Sequence, residues 1–327
     1  MNNTYKEIAV TEVGNVHIGQ VENDEAGTGC TVFISEQGMP AGLDIRGGGP
    51  ASRESALLDP VTAAQFVHGI VLAGGSAFGL GAASGVMKYL EEHGIGFDVG
   101  VTKVPLVAQS DLFDLTVGDM KVRPDYHMGY KAAKTAMEAP NYRDGCFGAG
   151  CGATVGKVGG METCMKSGIG SFAVEIGELR IGAVVAVNAL GDVYDWETGQ
   201  KLAGMLSADK QNFSDSVEAM AESIEIKENK YADNTTLGVI LTNAEFTKPQ
   251  LCKIAGMAHD GYARSIRPIH TSADGDSIYA ASIGDVKADQ DLVGVLAADV
   301  MSEAIKRAVL NADSAFGFPA AKDLKLK

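Results

Sequence analysis

Apolar residues occur along this chain in short runs of strand length and in helical repeats. The clearest short runs span residues 66–73, 170–176, 180–188, 237–241 and 278–283. Runs of this length and character are typical of buried strands in a central sheet. The pattern therefore predicts several strands that share one core.

Residues 5–35 and four later segments complete the predicted elements. The first stretch contains alternating and apolar runs, which predict two strands of a hairpin or meander. Residues 249–264 and 289–311 place apolar side chains at helical spacing, as a helix with a buried face does. Residues 125–138 carry Ala and Lys at positions that favour a helix. A further helix should end near Glu92, because His and Gly follow it as a C-terminal cap signal.

The composition is that of a folded globular protein. Of the 327 residues 46% are hydrophobic and 21% are charged, so the chain can bury a sizeable core. Strands lie on both sides of the predicted helices, and the only break in composition is a polar, charged segment at residues 207–233, which is predicted to be an exposed linker. We therefore predict one α/β domain over residues 1–327.

The 41 glycines cluster at three places. Two of the clusters, AGGSAFGLGAASG and GAGCGATVGKVGG, lack the Gly-Lys-Ser/Thr ending of a phosphate-binding loop, and the first is better explained by close packing of helices and strands. The third, RGGGP at residues 46–50, has two open interpretations. It is either a tight surface turn or a backbone wall of an active site.

The net charge of −15 limits the classes of partner. Nucleic acid and an anionic membrane surface would repel such a chain, so the expected partner is a small molecule or a short peptide. No apolar stretch is long enough to cross a membrane, and the first residues lack the pattern of a secretory signal. These features predict a cytoplasmic protein.

The cysteines and histidines do not have the spacing of a metal site or of a redox site. The five cysteines form no CxxC pair, and the six histidines include no HExxH motif. We therefore predict reduced structural thiols, no metal and no cofactor. A Gly-x-Ser-x-Gly turn is absent as well, which leaves a Ser-His-Asp triad with weak support.

The stretch YADNTTLGVILT contains the strongest candidate for chemistry. The polar segment ends there at Asn234, and Thr235 stands at the start of the apolar run 237–241. If the Asn234–Thr235 bond were cut, Thr235 would carry a hydroxyl nucleophile and a free amine base on one residue. The simpler interpretation is that Asn234 only ends a loop before a strand.

Three other polar residues lie at the ends of predicted strands. Asn188 is the last residue of the run 180–188, where it is either a turn former or a hydrogen-bond donor to a reacting carbonyl. Asp274 and Asp276 precede the run 278–283. The residues alone do not decide between a structural role and a catalytic one.

The order of several sequence blocks resembles the DmpA-type family of N-terminal nucleophile hydrolases. This family includes L-aminopeptidase/D-esterases, β-peptidyl aminopeptidases and nylon-oligomer (6-aminohexanoate oligomer) hydrolases. The likeness extends over nearly the whole chain, and the blocks that carry it are GTGCTVFI, IRGGGPASRES, VHGIVLAGGSAFGLGAASGVMKYLEE, VPLVAQSDLFDL, GAGCGATVGK, VNALGDVYD, NTTLGVILTNA and HTSADGDSIYAAS. The resemblance implies a four-layer αββα sandwich of the DmpA/ornithine acetyltransferase type.

The resemblance also implies self-cleavage. Members of the family cut themselves before a Ser or Thr, which then becomes the nucleophile. On this sequence the cut falls between Asn234 and Thr235, and it would yield an α subunit of residues 1–234 and a β subunit of residues 235–327.

Four further residues match functional positions of the family. Asp274 and Asp276 match two Asp of the nylon-hydrolase branch, where other members carry Ser and Glu. Asn188 matches an Asn on the oxyanion side, and Lys157 matches a Lys near the nucleophile in the nylon-hydrolase branch.

The expected activity is hydrolysis of amide or ester bonds in small amino-acyl, β-amino-acyl or ω-amino-acid oligomer substrates, through an acyl-enzyme on Thr235. The family often forms tetramers, so a homo-oligomer, a tetramer of αβ units, is expected. Two alternatives stay open. One is an acyltransferase that resembles the ornithine acetyltransferases, and the other is an uncut, non-catalytic binding or assembly protein.

Overall fold

The computed structural model of the chain describes residues 5–222 and 234–324. Within these ranges the strands, in chain order, are β1 (Lys6–Ile8), β2 (His17–Asn23), β3 (Thr28–Met39), β4 (Ala41–Ile45), β5 (Ala51–Arg53), β6 (Val67–Ala73), β7 (Phe97–Asp98), β8 (Lys103–Val104), β9 (Val107–Asp111), β10 (Thr154–Val155), β11 (Met165–Lys166), β12 (Ile169–Ile176), β13 (Leu179–Asn188), β14 (Asp192–Tyr194), β15 (Lys201–Ala203), β16 (Thr235–Ala244), β17 (Ile266–Arg267) and β18 (Ser277–Val286). The α-helices are α1 (Ala82–Glu92), α2 (Tyr126–Glu138), α3 (Ser216–Glu222), α4 (Lys248–Ser265) and α5 (Gln290–Leu310). Short 3-10 helices span Val10–Glu12, Ser55–Leu58, Ser76–Gly81, Gly148–Gly150, Met161–Thr163 and Ala321–Asp323.

Two larger sheets form the centre of the molecule. One has six strands in the order β1-β12-β13-β16-β18-β4, and the other has five in the order β2-β3-β6-β9-β5. In the six-stranded sheet β16 is antiparallel to β13 and parallel to β18. The first residue of β16 therefore lies at the same edge of the sheet as the last residue of β13 and the start of β18.

The alternation of side chains along β16 shows why its sequence is continuously apolar. Leu237, Val239 and Leu241 belong to the core between the two sheets, and Ile240 belongs to the core beneath the helices. Both faces of the strand are buried, so each position favours an apolar residue. Full burial of one such side chain contributes roughly 1.5–3 kcal/mol to stability.

Helices cover the outer face of each sheet. Residues of α4 and α5, such as Tyr262 and Met301, share a core with the outer face of the six-stranded sheet. Residues of α1 and α2, such as Leu90 and Ala132, share another core with the outer face of the five-stranded sheet. The layers are therefore helix, sheet, sheet and helix, which confirms the predicted αββα architecture.

Glycine permits the close contact between α1 and α2. A Cβ atom on Gly85 would lie 1.8 Å from the carbonyl oxygen of Tyr126, and one on Gly129 would lie 1.9 Å from that of Ala82. Any side chain at these positions would force the two helices apart. This contact supports packing as the explanation for the glycines of AGGSAFGLGAASG.

The predicted helices agree with the structure to within a few residues at either end. The helix predicted at 125–138 begins at Tyr126, because the Asp125 side chain accepts a hydrogen bond from Met128 N and caps the helix. The helix expected to end near Glu92 does end there. None of the helices in the described residues is long and apolar enough to cross a membrane.

The predicted exposed linker at residues 207–233 is partly wrong. The described part of this segment, residues 207–222, includes α3, and Ser216 at the start of that helix is fully buried. The reason is the buried carboxylate of Asp192, which accepts hydrogen bonds from Ser216 N at 3.0 Å and from Ser216 Oγ at 2.8 Å. Residues 223–233 of the predicted linker lie outside the described residues.

Candidate active site

Four of the predicted site residues meet at one edge of the six-stranded sheet. Thr235 is the first residue of β16 and lies directly opposite Asn188, the last residue of β13. Asp274 and Asp276 lie just before β18, and Asn234 forms a parallel bridge with Asp274. Strand pairing therefore brings together residues that are far apart in the sequence.

The carbonyl group of the Asn234–Thr235 peptide bond accepts two hydrogen bonds. Its carbonyl oxygen accepts a hydrogen bond from Gly275 N at 3.1 Å and another from the Thr235 hydroxyl. Asn234 is 5% exposed and Thr235 is 4% exposed. The hydroxyl thus contacts the oxygen of the carbonyl that precedes it, and a backbone amide polarises that carbonyl as an oxyanion donor does.

Gly275 lies close to the Thr235 side chain. A Cβ atom at this position would lie 2.7 Å from Thr235 Oγ1 and 3.0 Å from the carbonyl oxygen of Gly49. Because such a contact is shorter than real Cβ atoms show, any side chain at position 275 would push against the hydroxyl. The Gly between the two Asp residues is therefore part of the site.

The RGGGP loop forms a backbone wall behind the Asp274–Asp276 segment. Gly49 N donates to Asp274 O at 2.8 Å, and Arg46 N donates to Asp276 O at 3.0 Å. A Cβ atom on Gly47 would lie 2.3 Å from both Asp274 O and Asp276 N. Of the two interpretations open at the sequence level, the structure favours the active-site wall, although most of the loop is also exposed on its other side.

The two Asp residues have different partners. Asp274 Oδ2 accepts hydrogen bonds from Thr271 N at 2.7 Å and from Thr271 Oγ1 at 2.6 Å, and its buried Oδ1 has no hydrogen-bond partner among the described residues. Burial, and next the negative charge of Asp276, raise the pKa of Asp274 to about 6. Asp274 is therefore an acid of raised pKa with one oxygen available to a proton or a cation.

Both carboxylate oxygens of Asp276, in contrast, have hydrogen-bond partners. Its Oδ1 accepts a hydrogen bond from Thr236 N at 2.7 Å. Its Oδ2 lies 3.1 Å from His270 N and 2.9 Å from His270 Nδ1. The carboxylate is fully buried, and it anchors the residue that follows Thr235.

Lys157 and Asn188 contact each other at the end of β13. Lys157 Nζ donates to Asn188 Oδ1 at 2.7 Å and to Asn188 O at 3.1 Å. The same Oδ1 accepts a hydrogen bond from Thr154 N at 3.0 Å, and Asn188 Nδ2 donates to Phe113 O at 2.8 Å. Asn188 thus connects the glycine-rich segment that carries Lys157 to the strand opposite Thr235.

Sequence reasoning did not identify Gly275, His270 and Thr271, which the structure places in the site; Thr271 donates two hydrogen bonds to Asp274. Gly275 could have been noticed because it separates the two Asp residues in Asp-Gly-Asp. His270 gave no usable signal, since its contact with Asp276 depends on the path of the chain between them. In the described residues no group of three or more His, Cys, Asp or Glu is arranged to hold a metal ion.

Comparison with known proteins gives a consistent result. The sequence pattern of peptidase family S58 matches residues 8–322. An uncharacterized aminopeptidase of Mycobacterium leprae is 37% identical, over 97% of this chain and 92% of that protein. A 6-aminohexanoate-oligomer endohydrolase of Agromyces sp. is 30% identical, over 94% of this chain and 88% of that protein.

The fold is similar to that of a solved structure as well. The L-aminopeptidase D-Ala-esterase/amidase of Ochrobactrum anthropi, described as a variant of the Ntn hydrolase fold, superposes with a TM-score of 0.66 at 17% identity. The superposition covers 93% of this chain and 86% of that one. This likeness confirms the predicted fold class.

Replacement of Gly275 by Ala tests the close approach to the hydroxyl. The new methyl group would displace Thr235 Oγ1, so we expect cleavage of the Asn234–Thr235 bond to slow by about tenfold or more, which corresponds to about 1.4 kcal/mol of barrier. Intact-mass spectrometry over time measures this rate. Gly81→Ala is the matched control, because a Cβ atom at Gly81 meets nothing closer than 4.0 Å and its φ is −65°. Equal cleavage rates in the two variants would contradict the account.

Proposed function

The chain belongs to peptidase family S58 and is a hydrolase, and we propose that it is a self-processing amide hydrolase with Thr235 as its nucleophile. The observation that carries the proposal is the buried Asn234–Thr235 peptide bond, whose carbonyl oxygen accepts a hydrogen bond from Gly275 N and another from the Thr235 hydroxyl. The hydroxyl belongs to the residue that directly follows this carbonyl, so its oxygen can reach the carbonyl carbon once a base takes up its proton.

Maturation then follows in two steps. Thr235 Oγ1 attacks the carbonyl carbon of Asn234, the C–N bond breaks, and an ester joins Asn234 to the Thr235 side chain while the Thr235 amine is released. Gly275 N donates to the oxygen on which negative charge develops. Water hydrolyses the ester, which leaves a carboxylate on Asn234 and a free amine and hydroxyl on Thr235.

Asp274 is the proposed proton acceptor in this first step. Its Oδ1 is buried and has no hydrogen-bond partner among the described residues, and the Asp274 backbone forms a bridge with Asn234. An ionised Asp274 would take the hydroxyl proton of Thr235, directly or through a water, and give it to the Thr235 nitrogen as the C–N bond breaks. After the cut the same oxygen would accept a hydrogen bond from the new ammonium group and hold it in place.

In the mature enzyme the free α-amine of Thr235 is the general base. A free α-amine has a pKa of about 7.7–8.0, so an appreciable neutral fraction exists at neutral pH. It accepts the hydroxyl proton while Oγ1 attacks the substrate carbonyl, and the protonated amine then gives that proton to the leaving amine. Water hydrolyses the acyl-enzyme, and Asn188, held by Lys157, stabilises the oxyanion in both steps.

The proposed substrates are short amides or esters with a free amine. Two observations support this class: the relatives include proteins named as an aminopeptidase and as a 6-aminohexanoate-oligomer endohydrolase, and the net charge of −15 favours approach of a cationic molecule. We further propose a cytoplasmic tetramer of αβ units, with residues 1–234 and 235–327 as the two pieces of each hydrolase unit.

Substitution of Thr235 tests the nucleophile. Thr235→Ala removes the hydroxyl, so the chain should stay intact and hydrolysis of amino-acid p-nitroanilides should fall to background. Thr235→Ser keeps a hydroxyl and should still cut itself, and it should keep activity within about tenfold of wild type. Denaturing electrophoresis with intact mass identifies the pieces. Full activity in Thr235→Ala, or an uncut active wild-type chain, would contradict the proposal.

The pKa of Asp274 predicts how maturation depends on pH. The carboxyl is protonated below about pH 6 and ionised above it, and only the ionised form accepts a proton. The cleavage rate of freshly translated precursor should therefore rise between about pH 5 and 7 and then level off. In Asp274→Asn the rate should be low, with no rise in this range. An unchanged rise in Asp274→Asn would show that another group titrates.

Asn188→Asp separates the acceptor role of the Asn188 side-chain oxygen from the proposed donor role of its amide nitrogen. Aspartate keeps an acceptor for Lys157 Nζ and Thr154 N but loses the amide donor. If the donor stabilises the oxyanion, kcat should fall by on the order of 100-fold while KM changes little. Steady-state kinetics on the matured variant measure both. Wild-type kcat in Asn188→Asp would rule out the donor role.

A further inference from the structure

His270 contacts the carboxylate of Asp276, which in turn contacts the start of β16. The fully buried Asp276 receives two contacts from His270 on one oxygen, from the backbone N at 3.1 Å and from ring Nδ1 at 2.9 Å. Its other oxygen accepts a hydrogen bond from the backbone N of Thr236 at 2.7 Å. His270 is therefore linked to the residue next to Thr235 through a single carboxylate.

The backbone of His270 adopts an unfavourable conformation to make these contacts. Its φ is +60°, in the left-handed region that side chains with a Cβ atom seldom occupy. In this conformation the backbone N and ring Nδ1 converge on the same oxygen of Asp276. Strain of this kind persists only where the surroundings hold it, and it is common at functional sites.

A second histidine packs against the ring of His270. The His259 ring, on α4, lies 4.7 Å away between centroids, at an interplanar angle of 71°. His259 is fully buried, and its Nε2 lies 3.1 Å from Asp44 O. Burial lowers the pKa of His259 to about 4, so at neutral pH it is an uncharged ring that packs against His270. The Tyr262 ring lies 5.9 Å from His270 and adds to this packing.

From this arrangement we infer that His270 is a positioning residue for the Thr235 nucleophile. Its ring N–H fixes the carboxylate of Asp276, the carboxylate fixes the amide of Thr236, and the start of β16 is thereby held in the geometry that the reaction needs. The inference rests on the proposed function, since it assigns a role in the alignment of Thr235. His270 does not contact the reacting atoms, so it acts only through Asp276.

Without the His270 ring the Asp276 carboxylate would lose its hydrogen bond to ring Nδ1. Asp276 could then rotate and weaken its hydrogen bond to Thr236 N, and the hydroxyl and amine of Thr235 would lose their alignment with the substrate carbonyl. Small misplacements of reacting groups lower the rate by up to about 100-fold without weakening substrate binding. The loss should therefore appear in kcat and in the rate of self-cleavage rather than in KM.

Two substitutions separate the ring donor from the backbone conformation. Asn and Gly both tolerate a positive φ, but only Asn places a side-chain donor close to the position of His Nδ1. We expect His270→Asn to keep about a third of the wild-type kcat, and His270→Gly to lose about 30- to 100-fold, with KM within about threefold of wild type in both. Activity is measured on the full chain with an amino-acid p-nitroanilide, per mole of chain that begins at Thr235.

The cleavage rate of the freshly translated chain should follow the same order, with wild type fastest, His270→Asn next and His270→Gly slowest. Equal kcat values for the Asn and Gly variants, whether high or low, would overturn the inference. If circular dichroism shows that His270→Gly does not fold, the His270→Gln variant is measured in its place. The Gln side chain is one methylene longer than Asn, so its amide donor lies beyond the position of His Nδ1. Equal kcat values for the Asn and Gln variants would then overturn it too.

The same experiment separates this inference from the proposed function. A wild-type chain that neither cuts itself nor hydrolyses the p-nitroanilides would overturn the proposed function. An active wild type with equally active Asn and Gly variants would overturn only the role of His270.

Discussion

The hydrogen bond from Gly275 N to the carbonyl oxygen of Asn234 is the contact on which the site depends. It joins Asn234, the residue before the proposed nucleophile Thr235, to the Asp-Gly-Asp segment, and the same carbonyl oxygen accepts a hydrogen bond from the Thr235 hydroxyl. The contact is possible because position 275 has no side chain, and because the RGGGP loop holds the segment from behind through its own backbone amides. These backbone contacts hold Gly275 N in place, as the proposed role of a preorganised oxyanion donor requires.

The αββα architecture explains why these groups meet at a sheet edge. β13, β16 and β18 are buried between the second sheet and the helices α4 and α5, so their register is fixed by packing on both faces. The polar residues Asn188, Thr235 and Asp276 lie at the strand ends, where their hydrogen bonds do not interrupt the core. Packing of the apolar interior sets the positions of the strands, and the candidate site residues lie at the boundary of that interior.

Much of the fold could be predicted from the sequence, and less of the site. The run 237–241 predicted a strand because burial on both faces requires apolar residues at each position. Ala and Lys predicted the helix at 125–138, and the structure adds the Asp125 side chain that caps it. The separate roles of Asp274 and Asp276 could not be predicted. They depend on Thr271 and His270, which reach the two carboxylates only through the turn that precedes β18. The contact of α3 with Asp192 could not be predicted, because nothing in the polar segment 207–233 distinguishes the buried Ser216 from its exposed neighbours.

The most direct test of the central claim is to locate the acyl group on the enzyme. The purified wild-type protein is treated with an activated ester of a small amino acid, quenched in acid, digested and sequenced by mass spectrometry. The account predicts an adduct on the peptide that begins at Thr235, carried by the hydroxyl or by the adjacent amine after migration. An adduct on another residue, or on a peptide that still contains the Asn234–Thr235 bond, would contradict it.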